Sequence, residues 1–108
     1  MQQEAKEVYV HPELLKYVQS ICEATRHDKN IRVGVSVRGA LSLVHAVKAY
    51  ALVCGRDYVV PEDIKRLAVA VLAHRIILEG RRNNKAESEH VVEAILREVE
   101  VPTEDWRK

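Results

Sequence analysis

Residues 36–55 read SVRGALSLVHAVKAYALVCG, the longest run in the chain that one helix can absorb. Ser36 is a good N-cap, because a serine hydroxyl can accept a free N–H of the first turn. The interior has no Pro and a single Gly, Gly39, while Gly55 suits the position just past a helix end, where φ is often positive. Val37, Ala40, Leu41, Leu43, Val44, Val47, Ala49, Ala51, Leu52 and Val53 cover most of its surface. Arg38, Ser42, His45 and Lys48 fall at steps of four, three and three, one narrow polar stripe. A helix apolar nearly all round is enclosed by other elements. The run therefore predicts the central helix of a bundle, with the stripe as its exposed edge.

Working outward, Pro12 suits a first helical position, where its missing N–H costs nothing. Leu14, Leu15, Val18, Ile21 and Cys22 then recur at helical spacing, which predicts a first helix ending near Arg26. His27 to Gly34 reads as a loop. On the other side, Pro61 opens a third helix with Glu62 and Asp63 in its first turn, where acids complement the dipole. Its apolar set, Ile64, Leu67, Ala68, Val71 and Leu72, follows the helical template throughout. Ile76-Ile77-Leu78 could continue a helix or form a short strand; a very short β pairing of Tyr58–Val60 with Ile76–Leu78 is compatible with the pattern. A final helix carries Val91, Val92, Ile95, Leu96 and Val99 and stops at Pro102. The fold class is all-α, a four-helix bundle over residues 1–102, with 103–108 as a C-terminal tail.

Composition narrows the function. The 108 residues are 47% apolar and 31% charged, enough for one domain with a modest core. A formal charge of +1 argues against a dedicated nucleic-acid binder, and no apolar stretch reaches the roughly 18 residues of a membrane span. The opening MQQEAKEVYV is polar rather than signal-like, and two cysteines, Cys22 and Cys54, make neither a disulfide scaffold nor a zinc site. Both cysteines read as buried thiols. His11, His27, His45, His74 and His90 are scattered without metal spacing and read as surface or cap residues, so no metal site is expected. The basic connector GRRNNK, 80–85, reads as a solvated loop, and Trp106 is the one residue out of place in a polar tail.

Arg38 stands in the first turn of the second helix, where a cation opposes the macrodipole by a few tenths to ~1 kcal/mol. An anion at the helix start reverses the penalty, because guanidinium and free N–H groups then converge on it. On spacing alone a solvated surface arginine is the favoured reading, since lone arginines near helix starts are common. Gly34 and Gly39 on either side shift the balance slightly toward the anion, since small residues let a ligand approach the backbone.

Gly34–Ala40 (GVSVRGA) resembles the G-x-S-P-R-A segment of MoxR-type AAA+ ATPases. Ala51–Ile64 (ALVCGRDYVVPEDI) is similar to that family's A-x-x-x-G-R-x-Y-V-T-P-E-D-V stretch. Leu72–Leu78 (LAHRIIL) resembles its L-x-H-R-I/L-x-L element, and Val99–Pro102 (VEVP) its V-P-V-P close. The resemblance runs from Val8 to Pro102 and implies an AAA+ lid-type four-helix bundle that packs over nucleotide held by a separate α/β core. It implies a sensor 2 role for Arg38 at the γ-phosphate, with Ser36, Val37 and Gly39 around it at the helix N-terminus. It also allows Arg26 near the nucleotide.

Two departures stand out. Val37 replaces the usual Pro, and Val60 replaces the usual Thr before Pro61, which removes an N-cap hydroxyl and predicts a frayed start to the third helix. There is no G-x-x-x-x-G-K-[ST] loop and no acidic strand end for Mg²⁺. No activity is therefore expected of the chain alone; ATP and Mg²⁺ would be engaged only together with the core, as part of an ATPase. The resemblance further implies a cytoplasmic, chaperone-like homo-oligomeric ring working with von Willebrand factor A-domain proteins, and contact with neither membrane nor nucleic acid. The alternative from the helix pattern is a histone-fold-like dimerisation or DNA-binding module, whose expected basic charge is missing.

Overall fold

The structure, a computed structural model, describes residues 8–80 and 84–107. The polar opening residues 1–7, half of the basic connector, 81–83, and residue 108 lie outside the described residues. The described residues form four α-helices: α1 (Pro12–His27), α2 (Val37–Val53), α3 (Pro61–Leu72) and α4 (Lys85–Glu98). The single turn Ala73–Arg75 extends α3 in 3-10 form. Each helix start is set by a local interaction. His11 caps α1 through Nδ1, which accepts the Glu13 N–H at 3.0 Å, and Pro12 follows at the first helical position. Ser36 caps α2 by accepting the Gly39 N–H at 3.2 Å, and Asn84 caps α4 by accepting the Glu87 N–H at 2.9 Å. Past Cys54, Gly55 adopts φ +82°. Its N–H reaches Leu52 O and the Arg56 N–H reaches Ala51 O, both at 2.9 Å, so the last carbonyls of α2 are satisfied.

The α3 start is not frayed. Val60 offers no hydroxyl, but the Asp63 carboxylate accepts the Val60 N–H at 3.0 Å while the Asp63 N–H bonds Val60 O at 3.0 Å. The acid three residues on supplies the other half of a capping box, and the Asp63 N–H finds the Val60 carbonyl in place of a threonine hydroxyl.

A small antiparallel pair joins β1 (Ile31–Val33) to β2 (Ile77–Leu78), with Ile31 opposite Leu78. This corrects two readings. Residues 27–34 are not wholly loop, and the partner of 76–78 is 31–33 rather than Tyr58–Val60. Tyr58 instead forms an isolated parallel bridge with Tyr9. The reason is geometric: α3 and its 3-10 turn carry residue 76 away from residue 60 and set it beside the end of α1. Ile31 and Leu78, opposite one another, are both buried.

The core is aliphatic. Leu14, Ile21, Leu43, Val47, Ile64, Leu72, Val92 and Ile95 interlock from all four helices, with Val35 and Val59 closing it from the connections. The expectation that α2 is enclosed all round is corrected. It buries one stripe, Gly39, Leu43, Val47 and Ala51, against the bundle. Val37 is 69% exposed and Leu41 54%, and Leu52 and Val53 also face outward. The other elements pack against one side of this 17-residue rod, so Val37, Leu41, Leu52 and Val53 stay open on the other. Cys54 is likewise exposed, at the C-cap, whereas Cys22 is buried. The tail is not free of the bundle: the Trp106 ring meets His11 edge-on at 5.5 Å, and His11 in turn meets Tyr9.

Candidate functional site

The approach to α2 is built by the last turn of α1. The Thr25 hydroxyl donates to Cys22 O at 2.6 Å and accepts the Val35 N–H at 2.9 Å, fully buried. Arg26 Nε donates to Val35 O at 3.0 Å. Both polar groups of the Val35 peptide are thus held by consecutive residues of α1, and Val35 drives its side chain into the core. Gly34 permits this closeness, because a Cβ there would stand 2.8 Å from the Arg26 backbone nitrogen. Arg26 Nη1 also pairs with Glu23 at 3.0 Å, within α1, so Nε braces the loop while Nη1 is held by its own helix.

The braced loop delivers Ser36 as cap and fixes where α2 begins. Arg38, in the first turn, is exposed and makes no hydrogen bond or ion pair among the described residues. The Val37 and Arg38 N–H groups have no acceptor within the helix, as at any helix start. No acidic residue stands in that turn. A free guanidinium and free N–H groups at the positive end of a 17-residue helix suit an anion. Ser36 and Val37 are exposed beside Arg38, and Gly39 is buried beneath it. The four residues singled out from the sequence are therefore adjacent on one turn, although only Arg38 offers a charged group. Among the described residues no cluster of His, Cys, Asp or Glu could hold a metal ion. No described helix is long and apolar enough to cross a membrane.

An apolar groove of about 280 Å³ runs beside the site, between α1 and α2, lined by Leu15, Val18, Cys22, Val37, Ala40 and Leu41. Burial in this groove lifts the Cys22 thiol to about 11. On the far side of the turn, the side chain of Arg75 lies against Gly39: a Cβ on residue 39 would come 3.0 Å from Arg75 Cδ. Sequence spacing, 36 residues apart, carries no signal of that approach.

The AAA lid domain family matches residues 23–99. YeaC of Bacillus subtilis, itself uncharacterised, is 35% identical over 96% of this chain and 33% of its own length. The chaperone MoxR1 of Mycobacterium tuberculosis is 31% identical over 94% of this chain and 30% of its own. A solved structure from Cytophaga hutchinsonii, named as a candidate ATPase, superposes with a TM-score of 0.78 at 36% identity, covering 90% of this chain and 32% of that one. The chain thus spans about a third of the length of the relatives it matches. Between a lid and a histone-fold-like module, the family match and the superposition decide for the lid. The chain belongs to the AAA lid domain family, as a lid of the type found in MoxR-family AAA+ ATPases.

Proposed function

We propose that this lid closes over ATP held by a separate core of the same full-length protein, and that Arg38 reads the terminal phosphate. The observation that carries the reading is the unpaired guanidinium in an acid-free first turn of α2. Bound ATP with Mg²⁺ would supply the negative charge that this turn lacks. Arg38 and the Val37 and Arg38 N–H groups would hold that charge, while the exposed apolar side chains of Val37 and Leu41 seat against the core and exclude water. Exposed apolar surface contiguous with an anion site is what a lid needs, since the surface is covered only on closure. Residues 1–102 act as the lid, and the tail 103–108 fastens to it through Trp106.

Likeness to the MoxR proteins supports extending the reading to a cytoplasmic, chaperone-like assembly. There the lid would pass nucleotide state to neighbours in a homo-oligomeric ring, alongside von Willebrand factor A-domain partners. The test is Arg38→Ala in the full-length protein. Losing a charge-assisted phosphate contact should lower the ATPase rate by about tenfold or more. A rate equal to wild type removes Arg38 from the mechanism. The chain by itself should bind ATP weakly or not at all, and tight binding by it would contradict the division of labour.

A further inference from the structure

The stretch after α4 runs back along α1 as a strap. Val99 and Val101 pack on the core near its start and Trp106 near its end, while Thr103, Glu104, Asp105 and Arg107 are exposed. Between those two holds the strap stands off the helix. A groove of about 450 Å³ opens there, with residues 99–104 on one side and Glu13, Lys16, Tyr17 and Ser20 of α1 on the other. Trp106 therefore holds the far end of the strap, and it does so on His11, ring centroids 5.5 Å apart and planes at 86°.

His11 is itself a junction. Its Nδ1 accepts the Glu13 N–H at 3.0 Å and its carbonyl accepts the Leu14 N–H at 2.8 Å, so the first turn of α1 is built on this residue. The same ring meets Tyr9 edge-on at 6.2 Å. The Tyr9 backbone crosses to the turn before α3: its N–H donates to Asp57 O at 2.8 Å, and its carbonyl accepts the Val59 N–H at 3.0 Å. An imidazole caps a helix only in the rotamer that aims Nδ1 at the free N–H, and neighbouring rings hold it there. Tyr9 is tied down through its backbone. Trp106 sits on an exposed tail, so its hold can be given up without opening the bundle.

We propose that the tail is a releasable clasp on the segment by which the chain enters the bundle. Seated, Trp106 keeps the His11 ring in its capping rotamer and so fixes residues 8–11 against both α1 and the turn before α3. Withdrawn, it lets the α1 cap and the Tyr9 bridge loosen together. The proposal rests on the lid reading in one respect: a lid swings about its entry segment, and the clasp sets how freely it does so.

The competing role for Trp106 is to cover apolar surface without acting on residues 9–13. Hydrogen exchange of the full chain, read amide by amide, separates the two. In Trp106→Ala the Tyr9, Glu13 and Val59 N–H groups should exchange about tenfold faster, as local opening no longer has to break the ring contact. Trp106→Phe should recover most of the protection, and Thr103→Ala, in the exposed part of the strap, should change nothing. The Val47 N–H, in the buried stripe of α2, should keep its wild-type rate throughout. Trp106 is the only tryptophan, so its emission reads the coupling in reverse. His11→Ala should move that emission to longer wavelength and raise its quenching by acrylamide. Wild-type exchange at all three amides in Trp106→Ala, or faster exchange at Glu13 alone, overturns the clasp, as does wild-type Trp106 emission in His11→Ala. A rise at Val47 as large as at Tyr9 assigns the effect to lost burial and overturns it too. None of these readouts involves nucleotide, so their failure leaves the lid reading standing, and a wild-type ATPase rate in Arg38→Ala leaves the clasp standing.

Discussion

Arg56 grips Asp63 with two parallel hydrogen bonds, Nη1 to Oδ2 at 2.9 Å and Nη2 to Oδ1 at 2.8 Å. The same Nη1 also donates to Tyr58 O at 2.9 Å, and the same Asp63 carboxylate accepts the Val60 N–H. One ion pair therefore closes the turn after α2 and caps α3. Asp63 is buried while Arg56 keeps a quarter of its side-chain surface. The hydrogen bond to Asp63 pushes the Arg56 pKa further up.

Removing Arg56 leaves that carboxylate buried without its cation. Arg56→Ala should cost about 3 kcal/mol, the low end for breaking a buried pair because Arg56 is partly solvated. Arg56→Lys should recover little, since an ammonium cannot span both oxygens and Tyr58 O. Asp63→Asn, which retains an acceptor for Val60, should fall between wild type and Arg56→Ala. Urea denaturation ranks the three. An Arg56→Lys variant as stable as wild type would show that charge alone, not the fork, holds the turn.

Two buried hydroxyls on α1 predict opposite outcomes. Thr25 uses both its donor and its acceptor capacity, so Thr25→Val strands the Val35 N–H and should cost about 1–3 kcal/mol. Because that peptide fixes the start of α2, the same variant of the full-length protein should also weaken whatever Arg38 binds. Tyr17 is buried and its hydroxyl has no partner among the described residues, and burial, with the Glu62 charge second, raises its pKa. Tyr17→Phe should be neutral or stabilising, since it deletes an unsatisfied group without changing shape. Equal losses in both variants would mean that packing, not hydrogen bonding, governs these positions.

Several of these relationships could be read from residue types and several could not. Pro12, Ser36, Gly55 and Pro61 each act through their own backbone or the next few residues, so helix starts and stops were legible within a turn. The place of Arg38 in the first turn of α2 was legible for the same reason. Ile31-Arg32-Val33 is too short to show alternation, and its pairing with residues 77–78 depends on how α3 turns. The Arg56–Asp63 bond bridges a turn of unspecified geometry, and the apolar count of α2 could not say which half the bundle would cover. Arg75 reaches Gly39 only because the 3-10 turn follows α3. Local signals fixed the elements, and long-range placement fixed the contacts.

The two cysteines should differ in reactivity and in pH response. Cys54, exposed, should react with a thiol reagent in the folded chain, and Cys22 only on unfolding. Desolvation first, offset by Arg26, lifts Cys22 from 9.0 to about 11 in the folded chain. A raised value favours the neutral thiol when folded. Its contribution to stability is therefore complete below pH ~9 and lost between about 9 and 11, as the unfolded chain gains the thiolate first. Cys22→Ala should flatten the stability profile across that window and leave it unchanged below. A profile as steep in Cys22→Ala as in wild type would assign the loss to other groups.

Leu41 and Leu43 stand two residues apart on α2 and separate stability from function. Leu43 is fully buried, and Leu43→Ala should cost about 2–5 kcal/mol through lost burial and the cavity left behind. Leu41 is 54% exposed, so Leu41→Ala should change stability by less than about 1 kcal/mol. If the open face of α2 seats against the core when the lid closes, polar substitution there should be silent for folding and costly for activity. Leu41→Asn in the full-length protein should then keep the melting temperature of the wild type and lower the ATPase rate, with the nearby groove between α1 and α2 losing its cover. Full activity in Leu41→Asn would mean that this face stays in solvent throughout the cycle, and closure would have to use the Leu52–Val53 end of the helix instead.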